Sequence, residues 1–301
     1  MKIGIIGFAR SGKTTVFNAL TGAHAEVGTF GSRQANVAVL KVPDERVDKL
    51  AEIYKPKRVA HAEFQFIDIA PGESGHKERA LDNTALNLLK VADGLVHVVR
   101  TFQNEDVIHP AGRVDPGRDG KALEEELQLA DLMIVEKRLQ RLEKEHHKDT
   151  EYQLLCRLRE RLESGASLRT LELSGAEAKE VSGYALLSHK PIMLLGNYGE
   201  ESLGAHDPSG LGDFATQAGL LLIELCGELE MEVAQLPETE QGSFREELGL
   251  GGDVRAAFIR TAYAMLGVIT FLTANENEVH AWTVPKGTKV IDAAGVVHSD
   301  M

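Results

Sequence analysis

The feature that constrains this chain most is a glycine-rich loop directly after its first apolar run. The run Lys2–Ile6 predicts a short strand, and the next eight residues read GFARSGKT, which fits the pattern G-x-x-x-x-G-K-[ST]. The apolar spacing from Thr14 to Leu20 then predicts a helix. Here the glycines let consecutive backbone N–H groups face one anion, and the helix N-terminus adds partial positive charge. The pattern therefore predicts a phosphate-binding loop.

The side chains of this loop suit a nucleoside triphosphate. Lys13 is predicted to reach the β- and γ-phosphates and is a candidate catalytic residue, while the Thr14 hydroxyl is a candidate ligand of Mg²⁺. We expect Mg²⁺ as the cofactor and ATP or GTP as the ligand and substrate. The predicted nucleotide-binding residues of the loop are Ala9, Arg10, Ser11, Gly12, Lys13, Thr14 and Thr15.

A second nucleotide motif ends the strand predicted over Ala62–Ile69. The segment FIDIAPG contains Asp68, which we expect to hold Mg²⁺ through water, the alternative being that it caps the strand end. Pro71 stands where the pattern D-x-x-G has its glycine, and proline has no N–H to donate to a γ-phosphate. Either Gly72 takes over that contact as a second catalytic residue, or the contact is lost.

A third motif follows the apolar run PIMLL. It places Asn197, Tyr198 and Glu200 where GTPases carry the base-reading N-K-x-D, here in the form N-x-x-E. Cys226 and Gly227 follow the next apolar run, where a backbone loop is expected to close over the base. We predict that these five residues bind the nucleotide. The alternative for Glu200 is that it only caps the following loop at the surface.

Strands that alternate with helices predict a mainly parallel sheet with helices on both faces. Residues 122–164 interrupt this alternation with two leucine stripes, which predict an antiparallel helical hairpin of the coiled-coil type. From Lys137 to Arg161 eight Lys or Arg residues stand against five Asp or Glu, so the hairpin is either a solvated surface or a docking site for an RNA-containing partner. The stripes are Leu129, Leu132, Val135, Leu139 and Leu142, and Leu154, Leu158 and Leu162.

The amino-acid composition disfavours some classes of binding partner and indicates the cellular compartment. Acidic residues outnumber basic ones by 46 to 33, and the resulting charge of −13 disfavours sequence-specific DNA binding. The two cysteines, Cys156 and Cys226, lie far apart without metal-ligand spacing, which indicates a reducing, cytoplasmic setting. The apolar run at the N-terminus is too short for a signal peptide or a membrane span, so we expect no membrane partner.

The order of these motifs resembles the YchF subfamily of Obg-related P-loop NTPases, the Obg-like ATPases. The resemblance implies an α/β P-loop NTPase domain with an inserted hairpin and a C-terminal TGS domain of β-grasp fold. It also implies a preference for ATP over GTP and association with ribosomes, for which the basic hairpin is the candidate contact with ribosomal RNA. The segments that carry it are GFARSGKTTVFNALTG, VPDERVDKLAEIYKPK, GLVHVVR, ELQLADLMIVEKRLQRLEK, the N-x-x-E loop and LGVITFLTANENEVHAWTVPKGTKVIDAAGVVHSD.

With this resemblance the chain divides into a nucleotide-binding domain in two parts, the hairpin, and a TGS segment that is incomplete. Val279, Trp282 and Val284 are expected to form one strand of that segment, which is either mobile or packed against the sheet domain or a neighbouring chain. The expected ranges are 1–121 and 165–272 for the two parts of the nucleotide-binding domain, 122–164 for the hairpin and 273–301 for the TGS segment.

Several residues depart from the family pattern. The loop has Ala9-Arg10-Ser11 where Pro-Asn-Val is usual, and Ser32 replaces the switch threonine, which makes Ser32 a third candidate metal ligand. Glu73 follows the glycine of the second motif, where the family has a hydrophobic residue.

The principal prediction from the sequence is a switch protein that binds and slowly hydrolyses ATP. One alternative is a nucleotide-gated binding module that does not hydrolyse, which Pro71 and Glu73 favour because a carboxylate beside the γ-phosphate repels charge. The other alternative is a GTP-specific GTPase of the Obg type, which Glu200 disfavours.

Overall fold

The computed structural model of the chain describes residues 1–25, 35–69, 81–205, 207 and 209–297. No helix within these ranges combines the length and the apolar character that crossing a bilayer requires. The strands are β1 (Lys2–Ile6), β2 (Asn36–Lys41), β3 (Arg58–Ala60), β4 (Glu63–Asp68), β5 (Gly94–Arg100), β6 (Ile192–Asn197), β7 (Leu221–Leu225), β8 (Val268–Ala274) and β9 (Glu278–Pro285). The helices are α1 (Lys13–Thr21), α2 (Glu45–Tyr54), α3 (Asn83–Leu89), α4 (Pro116–Lys144), α5 (Thr150–Glu163), α6 (Gly175–Ser182), α7 (Gly212–Ala218), α8 (Gly227–Gln235), α9 (Glu238–Glu247), α10 (Val254–Leu266) and α11 (Val290–Val297).

Strands β2, β4, β1, β5, β6 and β7 lie side by side in that order and form the main sheet. Strand β2 is antiparallel to β4, and every other neighbouring pair is parallel. All residues of β5 and β6 are buried, as expected for central strands with helices on both faces of the sheet. The predicted mainly parallel sheet is therefore confirmed.

Two apolar cores cover the opposite faces of the main sheet. One contains Ile5 of β1 together with Phe17 of α1 and Phe258 of α10. The other contains Ile6, the next residue of β1, together with Leu123 of α4. Because Leu123 lies in this second core, the first turns of α4 pack with the sheet domain, and the boundary expected at residue 122 falls inside the helix.

The helical insertion packs against more than itself. Helices α4 and α5 are joined by residues 145–149, and their facing side chains share one apolar cluster with Leu168, Val181 and Leu186 from the segment before β6. The cluster makes the insertion a small helical unit in which α6 and the preceding turn complete the core between the two long helices.

One residue of the predicted α4 stripe faces water. Leu129 is 50% exposed, so the prediction that it belongs to the apolar stripe of the hairpin is wrong. The reason is that this part of α4 packs on the sheet domain and the segment before β6. Two residues further along, Asp131 is fully buried and accepts hydrogen bonds from the N–H groups of Leu187 and Ser188.

The C-terminal segment forms a second sheet in the order β3, β9, β8. Strand β9 is antiparallel to β8 and parallel to β3, which comes from residues 58–60 of the nucleotide-binding part. Val279 and Ala281 of β9 are buried in the same core as Val47 of α2. The expected strand therefore forms and packs against the sheet domain, with its partner β8 beginning at Val268.

Candidate functional site

The residues singled out in the sequence meet at one edge of the main sheet. The phosphate-binding loop follows β1, Asp68 ends β4, Asn197 ends β6 and Cys226 follows β7. Parallel strands bring their carboxyl ends to the same edge, which is where open α/β sheets bind ligands. The edge thus combines all three sequence motifs in one candidate nucleotide site.

Two glycines allow the phosphate-binding loop to take its path. Gly7 has a φ of 150°, and a Cβ there would lie 2.3 Å from the carbonyl oxygen of Val98. Gly12 has a φ of 88°, and a Cβ there would lie 2.1 Å from Nδ2 of Asn197. Side chains are therefore excluded at both positions. Because Gly12 is the N-cap of α1, the helix N-terminus stays accessible to an anion.

Lys13 lies inside the loop. It is 6% exposed, and its ammonium group donates hydrogen bonds of 2.9 Å to the carbonyl oxygens of Gly7 and Phe8. Burial lowers the pKa of Lys13 to about 8, and the negative charge of Asp68 opposes part of that shift. Burial, and then the charge of Lys13, lower the pKa of His97 to about 3, so this buried imidazole is neutral and adds no charge to the site.

Asp68 and Thr14 form a direct contact at the loop. The Thr14 hydroxyl donates a hydrogen bond of 2.9 Å to Oδ2 of Asp68, and the side-chain amide of Asn36 donates one of 3.1 Å to the same oxygen. Asp68 is 1% exposed, and its Oδ1 has no hydrogen-bond partner among the described residues. A buried carboxylate oxygen without a partner is costly unless a cation or a further donor satisfies it.

The remaining loop residues differ in exposure. Ser11 is buried, and its hydroxyl oxygen has no partner within the described part of the chain. Arg10 is exposed, has a left-handed backbone with φ 65°, and donates a hydrogen bond of 2.9 Å from Nη1 to the carbonyl oxygen of Ile108. Ala9 and Thr15 are both partly buried.

The side chain of Asn197 connects two loops of the site. Its Nδ2 donates a hydrogen bond of 3.0 Å to the carbonyl oxygen of Ser11, and its Oδ1 accepts one of 2.9 Å from the N–H of Gly227. The backbone oxygen of Asn197 accepts two further hydrogen bonds from Thr101. Asn197 therefore holds the phosphate-binding loop, the start of α8 and the segment after β5 in one arrangement.

The other predicted base contacts surround this asparagine. Tyr198 is partly buried, and its backbone N–H donates to the carbonyl oxygen of Leu225 at 3.0 Å. Glu200 is exposed and begins a single turn of 3₁₀-helix. Cys226 is buried at the N-cap of α8, where burial raises the pKa of its thiol. The exposed position of Glu200 is compatible both with contact to a base edge and with the alternative of a cap on the following loop.

Two predicted residues lie outside the described part of the chain. They are Ser32, a candidate metal ligand, and Gly72, a candidate catalytic residue. Pro71 and Glu73, which favoured the non-hydrolysing alternative, also lie there.

The sequence motifs did not include two side chains that border the site. Phe102 follows β5, and the position of a Cβ on Gly12 would be 4.0 Å from its ring. The guanidinium of Arg100 lies 4.4 Å from the centre of the same ring. A position at or just beyond the carboxyl end of a buried parallel strand is the signal that could have found Phe102, since the same rule applies to Asp68 and Asn197.

Comparisons with known proteins show two matching family models. The chain matches the family model described as "50S ribosome-binding GTPase" over residues 2–137. Residues 268–301 match a second model, named YchF-GTPase_C and described as "Protein of unknown function (DUF933)".

Individual relatives extend the similarity to almost the whole chain. It is 37% identical to the ribosome-binding ATPase YchF of Bacillus subtilis over 311 residues, which cover 99% of this chain and 84% of that protein. The corresponding protein of Escherichia coli O157:H7 is 35% identical, with 99% and 85% covered. Among solved structures, the YchF GTPase of Schizosaccharomyces pombe is similar with a TM-score of 0.82 and 30% identity, and the match covers 100% of this chain and 84% of that one.

Proposed function

The chain belongs to the YchF family of P-loop nucleotide hydrolases, and we propose that it binds ATP in preference to GTP and hydrolyses it slowly as a switch on ribosomes. The family membership confirms the resemblance that the motifs indicated. The observation that carries the proposal is the cluster of Lys13, Thr14 and Asp68 at the mouth of the phosphate-binding loop.

Binding of the triphosphate rests on the loop backbone and Lys13. In the present structure the Lys13 ammonium is held by two neutral carbonyl oxygens of its own loop. Phosphate oxygens are ionised, and hydrogen bonds to ionised acceptors are roughly twice as strong as neutral ones. Lys13 therefore exchanges these carbonyls for the β- and γ-phosphates when ATP binds, and the N-terminus of α1 adds its partial charge.

Thr14 and Asp68 suit a magnesium ion. Mg²⁺ prefers oxygen ligands and in phosphate sites takes one or two from the protein and the rest from phosphate and water. The buried Oδ1 of Asp68, which has no partner among the described residues, fits such an ion directly or through water. Bound there, Mg²⁺ would neutralise charge on the β- and γ-oxygens. Ser32 is retained as a further proposed ligand.

The proposed hydrolysis needs little covalent chemistry from the protein. Phosphoryl transfer is catalysed mainly by positioning and by stabilising charge, which Lys13 and the loop backbone can supply. Gly72 is proposed to contact the γ-phosphate. With no general base identified in the sequence, slow intrinsic turnover is expected.

Base recognition is proposed for the segment from Asn197 to Glu200 together with Cys226 and Gly227. The side chain of Asn197 uses one N–H to bind the carbonyl oxygen of Ser11 and one oxygen lone pair to accept the N–H of Gly227. Its second side-chain N–H is therefore proposed to bind a base edge. Tyr198 is proposed to cover a base face by stacking. Glu200 replaces the aspartate that reads guanine, and its longer side chain no longer matches that edge.

Ribosome association is proposed from the names of the relatives, which are ribosome-binding ATPases. Such a partner also implies a cytoplasmic location. The hairpin is the proposed contact, but its basic charge is partly neutralised, since Arg138, Arg141 and Arg157 form ion pairs with glutamates. The connecting residues 145–149 include three exposed residues of basic type, His146, His147 and Lys148, and are the proposed RNA-facing part.

One experiment separates the three candidate functions. ATP and GTP are titrated in competition with Mg²⁺ present, and hydrolysis of each is followed under single-turnover conditions. Tighter ATP binding with slow ATP cleavage supports the proposal. Tight binding without cleavage indicates the nucleotide-gated module, and tighter GTP binding indicates an Obg-type GTPase.

A further inference from the structure

Arg10 is an unusual residue for its position in the phosphate-binding loop. Its φ of 65° lies in the left-handed region, which glycine adopts without cost and asparagine adopts more readily than other residues. An arginine there is conformationally unfavourable, because in this region its Cβ crowds the carbonyl oxygen that follows. Its side chain places a permanent cation in the predicted phosphate-binding loop.

One hydrogen bond of the Arg10 guanidinium, like those of the Lys13 ammonium, goes to a neutral carbonyl oxygen. Nη1 of Arg10 donates to the carbonyl oxygen of Ile108 at 2.9 Å, just as Lys13 donates to two carbonyl oxygens of the loop. Ile108 is 66% exposed, so this contact lies at the surface, where a solute can reach it. Neutral carbonyl oxygens are weaker acceptors than phosphate oxygens, so an ionised ligand in the loop competes for both cations.

The segment that carries Ile108 has other anchors on both sides. Before it, Arg100 donates hydrogen bonds to the carbonyl oxygens of Asn104 and Val107 at 3.3 and 2.7 Å. After it, Nε2 of His109 lies 2.9 Å from Oδ2 of Asp119 on α4. Because these contacts hold the backbone in place, the bond from Arg10 to Ile108 can be given up without loss of the local fold.

We propose that Arg10 is an arginine supplied in cis to the reaction: when ATP fills the loop, its guanidinium leaves the Ile108 carbonyl and binds oxygens of the terminal phosphoryl group. The inference rests on the proposed function. In the hydrolysis, water adds to the γ-phosphorus and the bond from that phosphorus to the β–γ bridging oxygen breaks. The bonding pair leaves with ADP, and the proton of the water passes to the phosphate product or to solvent. Arg10 stays protonated throughout and stabilises the charge on the phosphoryl oxygens.

The test compares Arg10→Gln and Arg10→Lys with the wild-type chain in two assays. Single-turnover cleavage of ATP measures the chemical step, and titrations with ATP and ADP measure contact with the terminal phosphate. We expect Arg10→Gln to cleave about 100-fold more slowly or worse, since a cis or trans arginine contributes at least that much in related reactions. ATP affinity should fall about tenfold, as for one lost charged hydrogen bond, while ADP affinity stays within about twofold.

Arg113→Gln is the matched control, because Arg113 is an exposed arginine of the same segment that pairs with Asp115 and does not lie in the loop. It should leave cleavage and both affinities unchanged. Arg10→Lys should restore part of the ATP affinity of Arg10→Gln, since it restores the charge without the planar fork. Unchanged ADP affinity serves as the check that the variant loop is folded.

Two results overturn the inference. If Arg10→Gln cleaves ATP at the wild-type rate, or loses ATP and ADP affinity to the same extent, Arg10 only shapes the loop. In both cases a wild-type chain that cleaves ATP leaves the proposed function standing. A wild-type chain that binds ATP but cleaves neither ATP nor GTP overturns the inference together with the proposed hydrolysis.

Discussion

The side-chain oxygen of Asn197 accepts the backbone N–H of Gly227 at 2.9 Å, and this contact holds the start of α8 against the carboxyl end of β6. The other end of the same amide holds the carbonyl oxygen of Ser11. Asn197 was singled out in the sequence as a base contact. Its position makes it first of all a clamp between the loop after β1 and the start of α8.

Replacing Asn197 by alanine should therefore destabilise the fold and the site together. The carbonyl of Ser11 and the N–H of Gly227 would be left buried without partners, at about 1–3 kcal/mol each. We expect the free energy of unfolding in urea to fall by about 2–6 kcal/mol, and the affinities for ATP and GTP to weaken in parallel. Asn87→Ala, on the exposed face of α3, is the control. Stability equal to wild type would refute the clamp.

Lys13→Ala should weaken triphosphate binding without unfolding the protein. The substitution removes the cation that we expect to reach the β- and γ-phosphates, and a hydrogen bond to a charged group is worth roughly 1.5–3 kcal/mol. Nucleotide affinity should thus fall at least tenfold in a fluorescence titration, with the circular dichroism spectrum unchanged. Lys49→Ala, which alters an exposed lysine of α2, is the control. Triphosphate binding as tight as in wild type would show that the loop assignment is wrong.

The affinity for ATP should fall as the pH rises through about 8. Burial lowers the pKa of Lys13 to about 8, so the group is charged below that pH and neutral above it. Binding of phosphate requires the charged form, and the protein must take up a proton to bind ATP at higher pH. We expect about a tenfold loss of affinity from about pH 7 to about pH 9.5. Lys13→Ala lacks the titrating group, so its weaker ATP affinity should not change over this pH range. The same pH dependence of affinity in both proteins would show that a group other than Lys13 causes it.

Wild-type protein should bind ATP roughly tenfold or more tightly than GTP, because a polar mismatch at a base edge costs about 1–3 kcal/mol. The carboxylate of Glu200 is one methylene too long to meet the donors of guanine from this backbone position, whereas adenine presents none there. Glu200→Asp should shift the ratio toward GTP in a competition titration. Glu201→Asp, at the neighbouring exposed position, should not. Equal affinities in the wild type, or no shift in the variant, would remove base reading from this loop.

Leu158→Ala should destabilise the helical insertion and leave nucleotide binding intact. Leu158 is fully buried in the cluster shared by α4, α5 and the segment before β6, and a cavity of this kind costs about 2–5 kcal/mol. The melting temperature should fall, and the ATP affinity should stay within about twofold of the wild-type value, because the cluster contains no residue of the phosphate-binding loop. Leu129→Ala, at a half-exposed position of α4, should cost far less. A fall in ATP affinity would contradict this prediction and show that the helical insertion is coupled to the nucleotide site.

The contrast between Leu129 and Leu158 marks a limit of reading helices from sequence. Both positions fit leucine stripes, and helical periodicity states which side chains share a face. It does not state which neighbour that face will meet. The early part of α4 packs on the sheet domain, so Leu123 is buried there and Leu129 faces water. Helix α2 gives a second case, since Val47 is fully buried whereas Ile53 of the same helix is 72% exposed.

What the sequence determined by itself is local. The path of the loop from Gly7 to Thr14, the helix after it, and the central strands follow from glycine conformations, lysine chemistry and apolar runs that lie close together in the chain. Only the tertiary structure decided that Asn197 joins Ser11 to Gly227, and that β9 pairs with residues 58–60. Those contacts join residues separated by 30 to more than 200 positions, and no local pattern specifies them. They form because folding brings the carboxyl ends of the strands together. Each buried polar group and each strand edge then pairs with the group that lies within hydrogen-bonding distance.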